Sequence, residues 1–159
     1  VPLSASGPGI AVGAASDARI SHVDLMPTIL ELAGIGRGDL LLDGRSFADL
    51  LGNPGLPGQE AVFGELYQHQ CLPDQMRCNC KMVRTGRWKY VYYTHGPTDE
   101  LYDLAEDPHE LYDLAGHPDH RATVLAMRDR LLRWLAESEA NRLHPTPDSH
   151  YPLPRWNVQ

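Results

Sequence analysis

The chain has 159 residues, 42% of them hydrophobic, and 14 Lys and Arg stand against 21 Asp and Glu for a formal net charge of −7. That length fits one ordinary domain with a modest core, and the apolar fraction excludes a disordered chain. The acidic balance, with Lys and Arg scattered rather than gathered in a stripe, argues against a nucleic-acid partner. No run approaches the roughly 18 uninterrupted apolar residues of a membrane span.

The opening Val1-Pro2-Leu3 carries no start methionine and no basic n-region. The chain is therefore expected to begin inside a longer polypeptide, which leaves cytoplasmic, periplasmic and secreted locations all open. Val1-Pro2-Leu3 reads as the end of a strand, and Gly7-Pro8-Gly9 as a turn. A short helix follows, with Asp24 as its expected N-cap and Pro27 in the first turn, where a missing N–H costs little. Leu25, Ile29 and Leu32 share one side of it, and Gly34 ends it. Residues 36–44 read as a loop. Residues 45–51 are expected to make two helical turns with Phe47, Leu50 and Leu51 inward, until Gly52-Asn53-Pro54-Gly55 breaks the pattern.

The character then turns to strands. Residues 61–67 are short and β-rich, and residues 68–79 form a polar loop. Residues 81–84 and 88–93 flank Thr85-Gly86-Arg87, the pattern of a β-hairpin with Gly at the turn. Within the second arm Trp88, Tyr90 and Tyr92 alternate with Lys89, Val91 and Tyr93, so one face can pack while the other stays partly wet. Glu100-Leu101-Tyr102-Asp103-Leu104-Ala105 recurs as Glu110-Leu111-Tyr112-Asp113-Leu114-Ala115. Two copies are too few for a solenoid; the first reads as a strand and the second as irregular. Residues 119–138 give the clearest helix, with Val124, Met127, Leu131, Trp134 and Leu135 on one face, widened by Leu125 and Leu132. Such a helix needs a sheet to cover, and the strands before it supply one. The proline-bearing tail from 139 to 159 is expected to be extended.

Four segments, in this order, resemble the C-terminal third of the sulfatase family. They are Val1-Pro2-Leu3 with Gly7-Pro8-Gly9; Val23-Asp24-Leu25-Met26-Pro27-Thr28 with Asp43-Gly44-Arg45-Ser46; Arg84-Thr85-Gly86-Arg87-Trp88-Lys89-Tyr90; and Glu100-Leu101-Tyr102-Asp103-Leu104 with Asp107-Pro108-His109-Glu110. The resemblance implies an α/β, alkaline-phosphatase-like fold of which this chain holds the last part. Residues 1–52 would close the large catalytic domain. Residues 60–138 would be an α+β subdomain, about four antiparallel strands packed on one long C-terminal helix.

The resemblance also implies hydrolysis of sulfate esters by the intact parent. It would act on a sulfated small molecule or glycan, with a formylglycine nucleophile and a divalent cation, calcium or magnesium. The metal and nearby basic groups would offset charge building on the sulfuryl oxygens. The formylglycine arises from a C/S-x-P-x-R segment. Cys71-Leu72-Pro73-Asp74-Gln75 has Pro in place but Gln75 where Arg belongs. No catalytic residue and no metal ligand of the family can be placed in this chain, which is therefore expected to be inactive alone and to serve as a structural partner of the remaining catalytic domain. A phosphodiesterase or phosphonate hydrolase on the same fold is the alternative within enzymes.

Three sets of residues carry sharper readings. Glu65, Tyr67 and His69 alternate at a strand end and so share a face, where they would edge the substrate pocket; ordinary polar strand ends are the plainer account. His69, Cys71, Cys78 and Cys80 form an H-x-C-x6-C-x-C cluster whose thiolates and imidazole suit zinc, as in a self-standing metal-binding or interaction module. A local disulfide from Cys71 to Cys78 or Cys80 and plain thiols are the competing readings. Asp103, Asp107, Glu110 and Asp113 do not match an EF-hand and are expected to accept backbone N–H bonds in turns.

Overall fold

The structure is a computed structural model and describes residues 2–38, 40–66, 79–94 and 98–143. Its centre is a four-stranded antiparallel sheet, β1 (Val62–Leu66), β2 (Cys80–Arg84), β3 (Trp88–Tyr93) and β4 (Glu100–Asp103), in that spatial order. Strand alternation decides its faces. Phe63 lies opposite Val83, Val83 opposite Tyr90, and Tyr90 opposite Leu101, so the four strands raise one apolar row on one side. The helix α3 (Arg121–Leu143) lies along that row. Val83, Tyr90, Leu101, Met127 and Leu131 form the buried cluster, with Phe63, Trp88, Tyr92, Leu114, Val124, Trp134 and Leu135 packed round it. Phe63 and Trp134 stack with ring centroids 4.7 Å apart, fixing β1 to the far half of the helix.

This arrangement matches the expected antiparallel sheet on a long helix, and the face of β3 that packs is the one carrying Trp88, Tyr90 and Tyr92. Tyr90 is fully buried, and its hydroxyl donates to Asp99 Oδ2 at 2.5 Å, so the phenol keeps a partner. Val91, on the opposite face, is buried as well, so that side is drier than the alternation alone suggests. Three details of α3 differ from expectation. Leu125 and Leu132 do not widen the buried face: both are exposed, because they project away from the sheet. The helix begins after a 3-10 turn, Pro118–His120, where His117 Nδ1 accepts from the Asp119 N–H at 3.3 Å. It also continues through Leu143, five residues into the stretch expected to be extended. Glu139-Ala140-Asn141-Arg142 contains no breaker, and the first restriction comes at His144, which precedes Pro145.

The region before the sheet is less covered. Residues 2–6 form no strand, since no described strand lies beside them to pair with. A 3-10 turn, His22–Asp24, leads into α1 (Leu25–Leu32), and α2 (Ala48–Gly52) follows the loop. Gly34 stands just past α1 in the left-handed region, as expected for a helix stop. The packing of α1 is the reverse of its apolar pattern. Asp24, Pro27 and Thr28 are buried, while Met26, Ile29 and Leu32 are more than half exposed. Residues 44–47 sit on the polar side: Phe47 N donates to Thr28 Oγ1 at 3.0 Å and Arg45 N to Asp24 Oδ1 at 2.9 Å. Those bonds also explain why α2 starts at Ala48 rather than Arg45.

Candidate functional site

Asp24 was expected to cap α1, but its side chain does something wider. It lies at the end of the 3-10 turn and makes no cap bond to α1. One oxygen accepts from Ser21 N at 2.7 Å and from the Gln59 side-chain amide; the other accepts from Arg45 N. A 1% exposed carboxylate thus ties together segments 21, 45 and 59, each far apart in the chain. Gly44 completes the knot. A Cβ there would stand 2.0 Å from the Val23 carbonyl oxygen, so only glycine lets the two strands of chain touch. His22 beside it is exposed.

Asp103, Asp107 and Asp113 accept backbone N–H bonds as expected, while Glu110 pairs with a lysine instead. Asp107 Oδ2 accepts from Leu111 N and Tyr112 N at 2.7 and 2.9 Å, and Asp113 Oδ1 from Leu101 N and Ala115 N at 3.0 and 2.9 Å. Glu110 pairs with Lys89 and occupies the left-handed region, φ 56°. Asp103 is buried and takes both Nε and Nη2 of Arg87, besides Ala105 N. The hydrogen bond from Arg87, outweighing the effect of burial, holds the Asp103 carboxyl below its usual range. Tyr93 and Tyr102 flank Glu100, and burial first, then that carboxylate, pushes both phenols up to about 12. Tyr90 is raised further, by burial and by Asp99.

Of the residues expected at a pocket edge, the structure describes Glu65. It projects from β1 on the helix side, opposite Lys81, and the two form an ion pair at 2.5 Å with both side chains largely covered. Lys81 was not singled out in the sequence. Its partnership depends on the β1–β2 register across a long connection, which no local pattern encodes. Tyr67, His69, Cys71 and Cys78 lie outside the described residues, so the zinc cluster, the disulfide and the Cys71 segment do as well. Cys80 opens β2 opposite Leu66 and Tyr93. Among the described residues no three His, Cys, Asp or Glu side chains stand close enough to hold a metal ion. No helix among them is long and apolar enough to cross a membrane.

Comparison with known proteins defines the class. Residues 1–137 match the family described as N-sulphoglucosamine sulphohydrolase, C-terminal. Arylsulfatase K of Mus musculus is 36% identical over 121 residues, which cover 72% of this chain and 21% of that protein. The solved structure of a 2-O GAG sulfatase superposes with a TM-score of 0.60 at 28% identity, covering 77% of this chain and 26% of that one. The phosphonate monoester hydrolase of Agrobacterium radiobacter superposes equally well, TM-score 0.60 at 30% identity, covering 72% and 24%. The fold is therefore the C-terminal region of an alkaline-phosphatase-like hydrolase. Within that class, the chain belongs to the sulfatase C-terminal family, and it spans about a fifth to a quarter of the length of the relatives it matches.

Proposed function

We propose that the chain is the C-terminal part of a sulfuric ester hydrolase, inactive alone, which completes the catalytic domain and edges its pocket. In this reading residues 1–52 end the large domain and residues 60–138 are the small subdomain. One observation carries the reading. Val23, Met26, Ile29, Leu32, Ile35, Leu40 and Leu41 are each 53–60% exposed, and they crowd into one short stretch. Scattered apolar residues on a surface need no explanation, but a helix with its apolar side outward marks a face that something else covers. The rest of a sulfatase catalytic domain is the partner that family membership supplies.

Kinship with sulfatases implies a divalent metal and a formylglycine in the full-length enzyme. The described residues offer no cluster of His, Cys, Asp or Glu that fits such a metal. What this chain supplies is position. The helix-backed sheet fixes Glu65, with Lys81 neutralising it, and Glu65, Tyr67 and His69 are the residues proposed to edge the pocket for the leaving-group alcohol of a sulfated small molecule or glycan.

The kinship with a phosphonate monoester hydrolase favours a second reading, hydrolysis of phosphonate or phosphate esters on the same fold. Offering an aryl sulfate and an aryl phosphonate to the polypeptide that contains this sequence separates the two. Preference for the sulfate is expected; preference for the phosphonate would replace the first reading with the second. Hydrogen exchange on the 159-residue chain tests its structural half. Residues 1–52 should exchange faster than residues 60–138, and equal protection of both, or cleavage of the sulfate by the 159-mer at an enzymatic rate, would overturn it.

A further inference from the structure

We propose that the outer face of α3 docks, reversibly, an acidic amphipathic helix of a second polypeptide. A helix that backs one sheet needs one apolar face, and α3 commits Val124, Met127, Leu131, Trp134 and Leu135 to it. The opposite face is not polar in return. Ala122, Leu125, Asp129, Leu132 and Ala136 follow one another at spacings of three, four, three and four, all exposed, with both leucines at 57%. That spacing is the seam of a heptad repeat, and it runs for about 21 Å along the helix. The sheet makes no use of it, because the sheet lies on the other side.

Spacing, size and charge together say what fits there. Alternating steps of three and four stay in line only against another helix, since a strand would offer side chains at every second residue. Ala122 and Ala136 at the two ends of the seam are small, so a partner helix can lie close, about 8 Å from axis to axis. Arg121 and Arg128 stand seven residues apart along one border of the seam, and Arg133 stands on the other, all exposed. Arg133 Nε donates to Asp129 Oδ2 at 2.8 Å, so the one acid within the seam is already matched. Arg121 and Arg128 have no carboxylate within ion-pair distance among the described residues. The Arg128 guanidinium lies over the Tyr92 ring, 5.6 Å from its centroid, which holds it at the border.

On a chain of net charge −7 this is a basic strip beside a leucine row. A second copy of α3 would set these arginines against one another in either orientation, because the same border positions meet in a paired helix. Glu or Asp at the border positions of a different helix would meet them with opposite charge. The composition also separates this face from that of α1, which holds a single charged residue, Glu31, among its eight. An apolar face of that kind suits a permanent contact within one fold. Charged borders with an ion pair inside the seam suit a surface that spends time in water and closes on a partner in turn.

The probes are a synthetic three-heptad peptide with Leu at both seam positions and Glu at both borders, and its twin with Lys in place of Glu. Each is titrated into the isotopically labelled 159-residue chain and followed by amide shifts. The Glu peptide should move amides across residues 121–136 and bind at least about tenfold more tightly than the Lys peptide, an advantage that shrinks in high salt. Leu132→Gln, at a position already exposed in the free chain, should weaken the Glu peptide about tenfold, the effect of losing the burial of one leucine. Arg121→Gln should narrow the gap between the two peptides. Equal affinity for both peptides, unchanged binding by Leu132→Gln, or shifts confined to residues 23–41 would each overturn the proposal. So would vesicles of phosphatidylglycerol moving the same amides more strongly than the Glu peptide, since the face would then belong to a membrane surface. None of these readouts involves turnover, so a failure here is separable from a failure of the sulfatase reading, which the aryl ester comparison decides.

Discussion

Leu131 and Leu132 are neighbours on α3 with the same side chain and opposite surroundings, 2% and 57% exposed. Replacing each by Ala removes the same atoms from the same helix, so the difference between the two variants isolates packing. Leu131 sits among Val83, Tyr90, Leu101 and Met127. Its truncation loses the transfer free energy of a buried leucine and leaves a cavity, about 2–5 kcal/mol together. Leu132 has more than half its surface in water already, and Ala recovers a few tenths of a kcal/mol in helix propensity, so Leu132→Ala should stay within about 0.5 kcal/mol of wild type. The two should differ by at least about 2 kcal/mol, or about 4–8 °C in Tm for a chain of this size. Urea unfolding followed by far-ultraviolet circular dichroism measures it, with equal denaturant slopes as the check that the unfolded states match. Equal losses, or a larger loss for Leu132→Ala, would mean that α3 does not pack on the sheet through the Met127–Leu131 side, and the fold described here would be wrong.

Three further outcomes follow from single residues. Asp24→Asn replaces a carboxylate that accepts from three donors by an amide that brings donors of its own. A loss of about 2–4 kcal/mol is expected, with faster exchange at the Ser21 and Arg45 amides. Gly44→Ala would drive a methyl into the Val23 carbonyl and should cost at least about 1–3 kcal/mol in thermal unfolding, whereas Gly36→Ala, with open space around it, should not. In alkaline titration Tyr93 and Tyr102 should resist ionisation until about pH 12. Their folded values lie above the ordinary 10.0, so the stability they contribute is whole below pH 10 and lost as pH rises through 12. Ultraviolet absorbance should show these phenols ionising together with unfolding, and ionisation near pH 10 in the intact fold would contradict the burial described here.

Much of the small sheet could be read from the chain because its signals are local. Period-two alternation in residues 88–93, the turn at Gly86 and the helical spacing of Met127, Leu131 and Trp134 each arise within a few residues. Asp107 was legible for the same reason, since it bonds to amides four and five positions on; Asp113 bonds the amide of Ala115 two positions on but also that of Leu101, on β4. Asp24 was half legible. A carboxylate ahead of a helix suggests a cap, but the donors that claimed it come from residues 45 and 59. Glu65 was marked by its place at a strand end, while Lys81, its partner, was hidden by the unknown register.

The sequence by itself determined the class of elements, their order and the kinship, since a chain that alternates, turns and then repeats every three to four residues has few ways to bury its apolar side. The tertiary structure decided which apolar faces are covered. Leu131 and Leu132, or Thr28 and Ile29, are neighbours along the chain, and only the position of the sheet or of residues 44–47 says which of each pair meets protein and which meets water.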